Sequence, residues 1–84
     1  MGAFISKQPN GLYCRFSTIV DCPTHWNLTK EEYLNNETGT VPNREYGEDV
    51  LNNYLQPFSE VINSFAPNNM TQEEFENFLK DVNK

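Results

Sequence analysis

An α+β fold is what this sequence predicts: an N-terminal β-hairpin packed on three to four helices. Three observations carry that expectation. Apolar and polar residues alternate with a period of two only near the start of the chain, two helix-start signatures of one form follow, and apolar residues between them recur at helical spacing. At 84 residues the chain makes one domain, 1–84. Within it, 1–26 holds the hairpin and a Cys/His turn, and 27–84 is an acidic helical part.

The hairpin comes first. Phe4 and Ile5 lead into Gln8-Pro9-Asn10-Gly11, where proline pre-sets φ and Asn-Gly tolerates positive φ. Beyond this turn Leu12, Cys14, Phe16, Thr18 and Val20 alternate with Tyr13, Arg15, Ser17 and Ile19, which predicts one strand with one face toward a core. Two helix starts then share a pattern, Thr29-Lys30-Glu31-Glu32 and Thr71-Gln72-Glu73-Glu74. In each the threonine caps and the glutamate three residues on reaches back, a capping box. Leu28 and Met70, just before the caps, stand where they staple onto Tyr33 and Phe75.

Residues 35–43 are a loop by composition. From Tyr46 the apolar positions Val50, Leu51, Tyr54, Leu55, Phe58, Val61, Ile62 and Phe65 keep helical spacing, with Pro57 kinking or restarting the helix. A last helix over about 72–82 buries Phe75, Phe78, Leu79 and Val82. A chain of this size buries only roughly 60–65% of its unfolded surface. Eleven aromatic residues supply large buried areas and argue against disorder. No apolar run exceeds three residues, so neither a membrane span nor a secretory leader is expected, and the expected compartment is the reducing cytoplasm of a host cell.

Charge is uneven. Between Glu31 and Phe78 lie ten acidic residues and one basic residue, Arg44, a local charge of −9 that the net −6 of the chain understates. Such a field repels nucleic acid and anionic membrane and speeds encounter with a basic partner. Direct nucleic-acid binding is not expected, because phosphate contacts need Lys and Arg.

Both cysteines and the single histidine fall within twelve residues. Cys22-Pro23-Thr24-His25 reads as a Cys-x2-His turn, and thiolate plus imidazole suits one structural zinc ion, with Cys14 as a third ligand and a carboxylate or water as the fourth. In one straight strand Cys14 and Cys22 would stand about 26 Å apart at ~3.3 Å per residue, so a shared ion needs a bend near Ser17-Thr18. Free core thiols and a disulfide are the alternatives. Three residues of separation leave a Cys–His nucleophilic pair too little independent placement, and no orienting third group is evident. The Glu pairs at 31–32 and 73–74 sit at helix starts, where they favour the dipole. No catalytic residues are expected, and the chain is not read as an enzyme.

The run from Gly2 to Phe16 (GAFISKQPNGLYCRF), continuing through Asp21-Cys22-Pro23-Thr24-His25-Trp26-Asn27, resembles small proteins encoded in phages and prophages of Gram-positive bacteria. So does the tail, from Tyr54-Leu55-Gln56-Pro57-Phe58 to Asn68-Asn69-Met70-Thr71 and Glu73-Glu74-Phe75. Loop 35–43 departs from relatives whose first helix runs on. The resemblance implies an anti-defence role of the anti-CRISPR type. On that reading a small acidic inhibitor binds a basic, nucleic-acid-handling bacterial defence protein, a type II CRISPR nuclease first among them, and blocks nucleic-acid loading. The residues expected to make the contact are Glu45, Glu48, Asp49 and Glu60 on the long helix and Glu73, Glu74 and Glu76 on the last. The alternative is a phage housekeeping interaction module with a structural zinc site.

Overall fold

The computed structural model describes residues 2–84; Met1, at the head of the expected 1–26 segment, lies outside the described residues. Three strands, β1 (Ala3–Lys7), β2 (Tyr13–Ser17) and β3 (Cys22–Leu28), form an antiparallel meander in the order β1-β2-β3. Four helices follow among the described residues: α1 (Lys30–Leu34), α2 (Arg44–Asn53), α3 (Phe58–Ser64) and α4 (Gln72–Val82). This is the α+β architecture predicted above, with one strand more than a hairpin.

The first turn closes as its residues require. Gly11 sits at φ 88 and gives its N–H to the Gln8 carbonyl at 3.0 Å, while the Asn10 side chain accepts from the Leu12 N–H at 3.1 Å. The second turn corrects the single strand expected over 12–20. β2 stops at Ser17, the chain reverses, and Asp21 at φ 58 leads into β3. Cys22-Pro23-Thr24-His25 is therefore the start of a strand and not a tight turn. Its register against β2, Ser17 to Cys22, Phe16 to Pro23 and Arg15 to His25, is irregular between Phe16 and Arg15, where Thr24 is the extra residue.

Both sheet faces are covered, where one was expected. Neighbouring strand residues point to opposite sides: Phe4, Cys14 and Phe16 join a core with Val61, Phe75, Phe78 and Val82, whereas Ile5 and Tyr13 join a second core with Tyr33, Leu34, Val41 and Leu51. The sheet thus lies between α1/α2 on one side and α3/α4 on the other. Aromatic rings fill the α4 side. Phe65 stacks on Phe75 at 3.9 Å, and Trp26 meets Phe78 edge-on at 5.2 Å.

Both predicted capping boxes are formed. Thr29 accepts from the Glu32 N–H at 3.1 Å and Thr71 from the Glu74 N–H at 3.1 Å, and each glutamate returns to its threonine N–H. Of the two outcomes expected at Pro57, a kink or a restart, the helix restarts. α2 ends at Asn53, and α3 begins after Pro57, which stands at its N-cap with φ −64. Gln56, between them, gives its N–H to the Ile5 carbonyl at 3.0 Å and bridges Ser6 in parallel. The chain passes the edge of β1 there, leaving one sheet face for the other.

Two expectations follow. Thr29→Ala and Thr71→Ala should each cost about 1 kcal/mol in chemical denaturation, because each exposes helix-start N–H groups. Gly47→Ala, which on propensity alone would gain up to about 1 kcal/mol, should instead destabilise by about 1–3 kcal/mol. A Cβ there would stand 2.6 Å from Leu34 Cδ2 and 3.0 Å from Val41 Cγ1, both of buried residues. A more stable Gly47→Ala variant would show that α2 can shift off α1.

Candidate functional site

The seven acidic residues expected to make the contact are all exposed, and the structure divides them. Glu45, Glu48 and Asp49 lie on α2, in the layer over one sheet face; Glu60 on α3 and Glu73, Glu74 and Glu76 on α4 belong to the opposite layer. Glu60 therefore does not continue the row of Glu45 and Asp49. That is a correction to the single acidic helix face read from the sequence, and its cause is the layer crossing at Pro57.

Local bonds distinguish them further. Glu74 is occupied by the capping box with Thr71, and Glu76 accepts from Gln72 at 3.3 Å. Asp49 accepts from Asn53 at 2.7 Å, which leaves its second carboxylate oxygen open. Asn43, which the sequence reading placed at the end of a loop, caps α2 by accepting from the Tyr46 N–H at 2.8 Å. The cap fixes where Glu45, Glu48 and Asp49 emerge. Arg44, the single base of the acidic stretch, is bound to Glu31 at 2.7 Å, and this pairing holds the Glu31 carboxyl below its ordinary range. The pair is exposed, so its net stabilisation is small.

Three large apolar side chains of the α2 side stand open. Ile19 is 79% exposed, Tyr54 64% and Tyr46 47%, and all three line one groove of about 910 Å³. The sequence reading missed this groove because Tyr46 and Tyr54 fit the apolar stripe of a helix and Ile19 the alternation of a strand. The signal available was the phenolic hydroxyl, which favours half-wet positions.

Cys14, Cys22 and His25 are not brought together. Cys14, the second residue of β2, is fully buried on the α3/α4 side. His25 pairs with Arg15, whose side chain points to the other face of β2 from Cys14. Cys22 and His25, in an extended strand, are separated by three strand steps, about 10 Å along the chain. The His25 ring shares a 3.1 Å hydrogen bond with Thr24 Oγ1. Among the described residues no three His, Cys, Asp or Glu side chains are placed to hold a metal ion. Both cysteines are free thiols. Burial pushes Cys14 up to about 12, and burial, with Asp21 and Glu74 nearby, pushes Cys22 up as well.

Comparison with protein-family models, curated proteins and solved structures found no match. The residues themselves carry the functional argument. Among the described residues no helix is long and apolar enough to cross a membrane.

The thiols give a prediction in pH. A thiol held protonated in the folded state contributes stability that is complete below its unfolded value and lost as the pH rises toward its folded one. For Cys14 that window runs from 9.0 to about 12, and Cys14→Ala should flatten the alkaline decline in a denaturation series. Alkylation of the native protein at neutral pH should be slow and become complete in denaturant. The zinc expected from the sequence is decided by metal analysis of protein never exposed to chelator. One equivalent per chain, lost together with stability on chelation, would require β3 to give up its pairing with Arg15.

Proposed function

We propose that this protein is a small acidic inhibitor that binds a basic, nucleic-acid-handling bacterial defence protein and blocks its loading with nucleic acid. A type II CRISPR nuclease is the foremost target. Such a nuclease holds nucleic acid in a positively charged channel, where an acidic surface competes for the same basic groups. One observation carries the reading. The long acidic stretch has a single base, Arg44, and Glu31 already binds it at 2.7 Å, so the exposed Glu45, Glu48 and Asp49 of α2 take part in no ion pair among the described residues. Glu45, Glu48 and Asp49 on α2 are the contact residues of choice, because they stand on one helix beside the exposed Tyr46, whereas Glu74 and Glu76 in the opposite layer are engaged locally.

The rival reading is an interaction module whose carboxylates only keep it soluble. Those same local bonds of Glu74 and Glu76 favour it for the α4 side.

Charge reversal on each layer separately tests both. Glu45, Glu48 and Asp49 changed together to Lys should weaken capture of the target by about tenfold or more, with circular dichroism unchanged and the parent's binding falling as salt rises. The same reversal at Glu60, Glu73 and Glu76 should change capture by less than about threefold. A folded α2 variant that binds and inhibits like the parent would reject the acidic mechanism.

A further inference from the structure

β1 is an edge strand, and only its second half is covered. Gln56 bridges Ser6 and binds the Ile5 carbonyl, while Ala3 and Phe4 open onto the groove of about 910 Å³. An uncovered strand edge is a template for another extended chain. The outer edge of β3 is a poorer one, since Pro23 has no N–H and Asn27 steps to φ 58.

The groove around the open half of β1 has a composition of its own. Of the four exposed large apolar side chains among the described residues, three line it, Ile19, Tyr46 and Tyr54; the fourth, Ile62, is on α3. Scattered exposed residues need no explanation, but exposed residues gathered in one concavity with polar groups at its rim mark an interaction site. Asp49 stands in its wall, and Glu45 adjoins it in a shallower depression that shares Tyr46 and Asp49. Arg15 also lines the groove, its Nη1 held by Thr24 Oγ1 at 2.9 Å, and it takes part in no ion pair among the described residues. One guanidinium that shares the groove with Asp49, with Glu45 beyond, is a poor site for a phosphate. It is a good donor to an uncharged carbonyl.

We propose that this groove grips an extended, basic-and-apolar segment of the partner protein, paired as a strand with the outward-facing backbone of Ala3 at the open end of β1. Alternate side chains of that segment fit between Tyr46, Tyr54 and Ile19, a Lys or Arg reaches Asp49 and Glu45, and Arg15 donates to a backbone carbonyl. The proposal rests on the reading of a basic partner and names the part of it that is held.

The test selects random displayed linear peptides on the immobilised intact protein, then measures their affinity for the parent and for Tyr46→Ala, Tyr54→Ala and Asp49→Lys. All three residues are exposed, and circular dichroism checks the fold. Peptides with Lys or Arg alternating with apolar residues should be enriched and should bind each variant about tenfold more weakly. No enrichment, enrichment of acidic peptides, or affinities unchanged in both tyrosine variants would overturn the groove. Capture of the target separates the two levels. If a Tyr46→Ala, Tyr54→Ala double variant captures it as well as the parent while the α2 charge reversal does not, the groove falls and the acidic mechanism stands. If basic peptides bind in the groove but no basic defence protein is captured, the groove stands and the inhibitory reading falls.

Discussion

The rest of the structure depends on covering β2 from both sides. It is the central strand of three, and its Cys14 and Phe16 are fully buried beneath α3 and α4 while Tyr13 and Arg15 turn toward α1 and α2. The chain places one pair of helices on each face. The second pair therefore cannot follow the first directly. After α2 the chain has to cross the sheet edge, and residues 54–57 do so beside β1, where Gln56 takes the Ile5 carbonyl and Pro57 opens the next helix. The break at Pro57 is a consequence of topology as much as of the proline ring. The same crossing leaves Tyr54 outside both cores and half of β1 uncovered.

A second tie closes the far end. Gln8, buried in the first turn, accepts the Asn27 N–H at 2.7 Å and donates to the Asn27 side chain at 2.8 Å; Asn10 donates to the same oxygen and gives its N–H to the Val82 carbonyl. Asn27 stands at φ 58, which asparagine visits more readily than most residues, and its amide is held there by accepting from Gln8 and Asn10 and donating to the Asp81 carbonyl. One polar cluster thus joins the first turn, the end of β3 and the end of α4. It gives the last helix a fixed seat on a sheet it reaches only after more than forty residues of intervening chain.

The sequence was most legible where structure is local. The two threonine caps, the Pro-Asn-Gly turn and the bounds of α4 depend on residues within a few positions of each other, and each forms as read. It was least legible where the chain changes layer. Apolar spacing from Val50 through Val61 continues across Pro57, because periodicity records which residues are buried and not in which of two cores. β3 was hidden for a related reason. Thr18, Ile19 and Val20 look like a strand but turn, while Pro23 and the left-handed Asn27 look like breaks but sit in a strand whose pairing absorbs them. The acidic excess could be counted from composition, but its division between two layers could not.

That division shapes how the protein would meet a partner. Charge on α2 acts at range, since unscreened carboxylates raise the encounter rate with a basic surface, but exposed ion pairs alone hold little. Residence comes from desolvated aromatic contact. The α2 side has both within one helical turn: Glu45 and Asp49 flank Tyr46 along the helix, and Tyr54 follows at its end. The α4 side has carboxylates with Phe75 and Phe78 turned inward, so it can attract but has little to grip with. Of two acidic layers, only the one that lies over Arg15 and the open half of β1 combines steering with anchorage. A surface that did only the first would let go as fast as it captured.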